Sequence, residues 1–114
     1  MIVGAALVRL HVHGSRSLKE KRGVVRSVTQ RLRNRFPLSV AEVGGQDTWQ
    51  RAVLGLAVCG NDARALRTLL ERAIEFVAGT GLAEVLDSDV EILSLPHEEG
   101  AGPEDEDEED EGSR

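Results

Sequence analysis

The sequence predicts a ferredoxin-like α+β domain, ordered β-α-β-β-α-β, with both helices on one face of a four-stranded antiparallel sheet. Three observations lead there. Apolar residues alternate at period two in the strand-like stretches, they recur at helical spacing in two others, and the stretches follow one another as strand, helix, strand, strand, helix, strand. Right-handed crossovers then put both helices on the same side of the sheet.

Residues 2–12 alternate, with Ile2, Ala6, Val8, Leu10 and Val12 on one side and Val3, Ala5, Leu7, Arg9 and His11 on the other. That is a strand with one apolar and one mixed face. The next segment, HGSRSLKEKR from His13 to Arg22, turns into a helix. Ser17 with Glu20 three residues later is a capping box, in which the hydroxyl accepts a first-turn N–H and the glutamate reaches back to the cap. Leu18, Val25, Val28, Leu32 and Phe36 continue the helix at its own spacing, and Pro37 ends it because the residue before a proline is driven out of α geometry. A second strand is expected over 38–43, a turn over 44–47, and a third strand over 49–58 with Ala52, Leu54, Leu56 and Val58 inward. Asn61 or Asp62 caps a second helix whose stripe is Leu66, Leu69, Leu70, Ala73 and Val77, closed by Gly79. Residues 84–95 supply the last strand.

At 114 residues and 40% apolar composition the chain suits one domain, expected to span residues 1–96. The remainder, residues 97–114, contains eight consecutive acids and almost no apolar side chain, and is expected to stay disordered. A solubilising tail is its plainest reading. The sharper one is an internal competitor for whatever polyanion the rest of the chain meets, because tethering gives it a high effective concentration. The apolar run at residues 2–8 falls far short of the roughly 20 residues of a membrane helix, and no basic segment precedes it as in a secretory signal. A cytoplasmic protein that does not enter a membrane is expected. The one cysteine, Cys59, excludes an internal disulfide, and its apolar flank favours a small buried hydrophobe.

The net charge of −6 conceals a strong asymmetry. Residues 9–35 hold nine basic side chains against Glu20 alone, the footprint of a surface that meets polyanions. Arg16, Lys19, Lys21 and Arg22 crowd a helix start where the backbone dipole is already positive and each cation costs ~0.3–1 kcal/mol. An anion is the natural compensator, and backbone N–H groups at a helix start suit phosphate. Along the helix Lys19, Arg22, Arg26 and Arg33 fall on one flank, within about 60° at 100° per residue. The candidate anion or nucleic-acid contacts are therefore Arg16, Ser17, Lys19, Lys21, Arg22, Arg26 and Arg33, weighed about evenly against an ordinary solvated flank.

Other constellations carry less. Base-stacking aromatics are scarce, with no tyrosine and Trp49 as the one candidate on the sheet. The open face is expected to hold Arg9, His11, Trp49 and Arg51 beside Asp89 and Glu91, where cross-strand charge pairing is the plainest role for the arginines. Val3, Leu7, Val53 and Leu93 share that face, and such an apolar patch suits a partner or a second copy. His11 and His13 stand two apart, but with no third ligand nearby in sequence they read as surface histidines, and no metal or cofactor is expected. A small phosphatase is an alternative, with Arg16 and the helix start holding phosphate and Asn61 or a nearby group orienting water. It resembles the acylphosphatases at fold level only, since the loop lacks their glycine-rich pattern.

SRSLKEKR, VAEVGGQDTWQRAVLGLAVCGND and EVLDSDVEIL together closely resemble the YlxP-like family of small bacterial proteins of uncharacterised function, over residues 1–95. The resemblance implies the ferredoxin-like fold and a gene often beside those for translation initiation and ribosome maturation factors; it implies no established activity. Ser17, Leu18, Lys19, Lys21 and Arg22 match the family's first motif, and Glu42, Gln46, Asp47, Trp49, Gln50 and Arg51 its second. His13 stands where a proline is usual and Gly45 where a histidine is frequent, and the acidic tail lies outside the pattern. The combined expectation is a non-enzymatic accessory domain that meets RNA or a ribosomal particle through its first helix. Gln46, Asp47, Trp49 and Arg51 are the expected partner contacts, and the open sheet a homodimer face.

Overall fold

The computed structural model describes residues 1–45 and 48–96. Gln46, Asp47 and the acidic segment 97–114 lie outside the described residues, and with them the expected disorder of the tail. The chain runs β1 (Ile2–His11), α1 (Leu18–Arg35), β2 (Ser39–Gly44), β3 (Arg51–Gly60), α2 (Ala63–Gly79) and β4 (Glu84–Ser94). The strands form one antiparallel sheet in the order β2-β3-β1-β4, the ferredoxin-like arrangement.

Local chemistry sets the boundaries. Ser17 is the cap of α1 and its Oγ accepts the Glu20 N–H at 3.1 Å. Glu20 Oε1 accepts the Arg16 N–H at 2.8 Å, one residue ahead of the cap itself, so the box closes around the loop rather than on Ser17. Phe36, held extended before Pro37, ends the helix. Of the two candidate caps for α2 it is Asp62 that serves, its Oδ1 accepting from the N–H groups of Arg64 and Ala65. Gly79 is the last helical residue, and the chain reverses at Gly81 with φ 76°.

The core lies between the sheet's inner face and the two helices. Val8, Leu10, Leu54 and Leu56 of the central strands pack with Val28 and Leu32 of α1 and Leu70, Ala73 and Val77 of α2. Two irregularities aim side chains. Val43 is the extra residue where β2 slips against β3 between Glu42 and Gly44. Glu42 faces inward with Val40 by ordinary alternation, opposite Leu54, and the slip that follows it seats Val43 over Gly55, where an added Cβ would lie 3.0 Å from Val43 Cγ1. The second, between Arg9 and Leu10, shifts β4 against β1.

Period-two alternation also corrects the expectation for Cys59. It is exposed, because odd-numbered positions of β3 face away from the helices while its neighbour Val58 packs on the core. Trp49 precedes β3 instead of opening it, and is 54% exposed.

Candidate functional site

The cationic residues of the first helix separate into two groups. Arg16, Lys19, Arg22 and Arg26 are exposed, and among the described residues none of them pairs with a carboxylate. Arg33 is also exposed, and its Nη2 donates to the Val40 carbonyl at 2.8 Å, covering part of the free edge of β2. Together they make a continuous cationic flank. Ser17 is occupied as the helix cap, and the N–H groups of Arg16 and Glu20 are already satisfied by the capping box.

Lys21 does not belong to that flank, which corrects its assignment as an anion contact. It is fully buried. Counted along α1 it precedes Val25, Val28 and Leu32 by four, seven and eleven residues, so it lies at the centre of the core stripe. Its Nζ donates to the carbonyl of Gly45 and, at 3.1 Å, to that of Arg51, the two ends of the β2–β3 connection. Glu42 Oε2 stands 3.2 Å from Nζ. That oxygen is buried without a well-directed hydrogen bond among the described residues, so close charge contact compensates its burial. Gly45 has φ 77°, and a Cβ there would sit 2.8 Å from the Arg51 carbonyl oxygen. With no Cβ in the way, Gly45 adopts this turn without strain and its carbonyl meets the ammonium.

Gln50 ties the same end of the sheet to the loop before α1. Its Nε2 donates to the Ser15 carbonyl at 3.2 Å, its backbone carbonyl accepts the Val12 N–H at 2.8 Å, and its Oε1 is 3.4 Å from His11 Nε2. Motifs about 25 residues apart in sequence thus meet through Lys21–Glu42 and Ser15–Gln50. Lys21 and Glu42 were legible as motif members, but nothing in the sequence links them to one another.

The open sheet face carries charge pairing of the expected kind. Arg9 Nη1 donates to Asp87 at 2.6 Å and to Asp89 at 3.0 Å, and these hydrogen bonds, with the attraction of the two carboxylates, raise the guanidinium pKa further. At one end of the sheet the fold supplies what the sequence withheld from the two histidines. Glu84, cross-strand partner of His11, places Oε1 2.7 Å from His13 Nε2 and 3.8 Å from His11 Nδ1. The hydrogen bond from His13 holds the Glu84 carboxyl below the usual carboxylate range. On the far side of Arg9 from that end lies a shallow trough, with Ala5, Ala41, Gly55 and Ala57 along it and Leu7 and Val43 beside it. No described helix is long and apolar enough to cross a membrane.

Fold and site define a small ferredoxin-like domain braced by a buried lysine, with a cationic helix outside. Residues 3–90 match a family described as a protein of unknown function, DUF503, and the chain belongs to that family. It is 34% identical over 76 residues to the uncharacterised protein YlxP of Bacillus subtilis (strain 168), an alignment spanning 67% of this chain and 83% of the relative. Among solved structures it is similar to a variant of SnoaB, a cofactor-independent oxygenase from Streptomyces nogalater. That match has a TM-score of 0.47 at 17% identity over 83% of this chain and 94% of the other, a likeness too distant to carry any argument.

Proposed function

We propose that this protein is a non-enzymatic accessory domain that docks on the phosphate backbone of RNA, as part of a ribosomal particle or on its way into one, through the outer flank of α1. The observation that carries the reading is the exposed row Lys19, Arg22 and Arg26, without a carboxylate partner among the described residues, continued by Arg16 and Arg33. Cations at that spacing lie along a ridge that tracks a backbone, and each phosphate neutralised releases condensed counterions. Scarcity of exposed aromatics makes the contact one of charge and shape, with little base reading. Replacing Lys19, Arg22 and Arg26 by glutamate should abolish co-sedimentation with ribosomal particles and flatten the dependence of RNA affinity on salt by roughly two to three phosphate contacts. Wild-type sedimentation of the triple variant refutes the reading, as does acyl-phosphate turnover that is lost in Arg16→Ala.

A second reading rests on the open sheet. Leu7, Val43 and Leu93 are 38%, 52% and 55% exposed, and Leu7 and Val43 flank the small-residue trough. Protrusion and recess on one surface are what a two-fold interface with a second copy requires. Leu7→Asp should then turn a dimer into a monomer in sedimentation equilibrium; a wild-type chain that is already monomeric at high concentration excludes this arrangement.

A further inference from the structure

We propose that His11, His13 and Glu84 form a binding site for a divalent ion of the zinc class, at the end of the sheet beside the β1–α1 loop. One donor atom from each residue lies within 4.8 Å of the other two. His13 Nε2 is 2.7 Å and His11 Nδ1 3.8 Å from Glu84 Oε1. An ion with bonds of about 2.0–2.1 Å to nitrogen and oxygen in a tetrahedral shell needs ligand atoms roughly 3.4 Å apart. The two separations bracket that value, and small side-chain rotations bring both to it.

Three donors and an open fourth position are the arrangement zinc adopts where it keeps a water or an outside ligand. His13 and Glu84 are largely exposed, with side-chain accessibilities of 66% and 54%, so the fourth position faces solvent. Two imidazoles with a single carboxylate favour zinc, cobalt or nickel over magnesium or calcium, which prefer shells of oxygen.

The outer shell is also in place. The Gln50 amide nitrogen is engaged by the Ser15 carbonyl, which turns Oε1 toward His11 Nε2. Assigned from that network, the His11 proton sits on Nε2 and the Nδ1 lone pair is left for the ion, the support that metal-bound histidines ordinarily have. In the metal-free protein Glu84 accepts the N–H of His13 instead. The ion takes the place of that proton, which leaves to solvent. Since His11 and Glu84 lie on β1 and β4, His13 on the loop and Gln50 before β3, the bound ion ties the four segments together at this end. This site is independent of the nucleic-acid reading.

The test titrates Zn(II) into the full chain carrying Cys59→Ser and His97→Ala, which removes the other soft ligands, and follows heat together with the His11 and His13 ring proton resonances. One ion per chain is expected, with both rings shifting in step. His13→Ala and Glu84→Gln should each weaken binding at least ~10-fold, and Gln50→Ala by about 10-fold through loss of the support to His11. Circular dichroism checks that the variants remain folded, and His13, Gln50 and Glu84 are exposed. Absence of a one-to-one isotherm, rings that do not shift, or equal affinity in His13→Ala and Glu84→Gln overturns the proposal.

Discussion

Lys21 and its neighbours Lys19 and Arg22 occupy one turn of α1, yet Lys21 is fully buried beneath the β2–β3 connection while the other two face solvent. The same formal charge has opposite consequences in the two places. Outside, water and salt screen each cation, so the flank contributes little to stability and is free to meet an anion. Inside, the ammonium is tolerated only because two carbonyls and the Glu42 carboxylate surround it, and removing it strands all three. A motif that counts positive residues cannot separate these roles; the phase of the helix can, because Lys21 shares the stripe of Val25, Val28 and Leu32.

The sharpest way to break the comparison is at Lys21. Lys21→Ala should destabilise the fold by about 3 kcal/mol in chemical denaturation, the lower end of the range for breaking a buried pair because Glu42 is 19% exposed. Lys21→Met with Glu42→Leu should recover most of that loss, since an apolar pair of similar volume leaves no charge stranded. If Lys21→Ala unfolds no more easily than wild type, the buried clamp is not a stabilising element. A smaller effect is expected at the acceptor, where Gly45→Ala must place a Cβ 2.8 Å from the Arg51 carbonyl oxygen at φ 77°. The cost is roughly 2 kcal/mol, read in the same unfolding experiment. Smallest of all is the outer flank: the triple change of Lys19, Arg22 and Arg26 to glutamate should leave the unfolding midpoint within the equivalent of ~0.5 kcal/mol while removing RNA affinity. A large destabilisation there would put the flank in the same class as Lys21 and end the distinction.

The legible parts of the fold were those governed by neighbours in the chain. Strand alternation, most of the two helical stripes, the Ser17 cap and the stop before Pro37 each depend on residues within a few positions and appear in the structure where those residues put them; Leu69 is half-buried outside the core, and the choice of Asp62 over Asn61 as cap is the structure's. The charge pairing of Arg9 with Asp89 was also within reach, because register across β1 and β4 follows from which face is apolar. Cys59 was misjudged from the apolar residues beside it, where the parity of its own position on β3 decides. Asp87, the shorter partner of Arg9, follows from the same parity as Asp89 and Glu91, since it stands directly opposite Arg9 before the irregularity begins.

The order of elements, the faces that meet in the core and the concentration of positive charge on one helix follow from residues close together in the chain. Helical phase sets Lys21 apart from the other cations, but what stabilises its burial comes from elsewhere in the fold. Lys21 needs β2 to bring Glu42 within reach and a left-handed Gly45 to present its carbonyl, and His13 needs Glu84 from the far end of the chain, 71 residues on. Periodicity records which side of a strand or helix is apolar. It does not record which polar group arrives from another element, since that depends on register shifts and backbone turns set when the sheet closes.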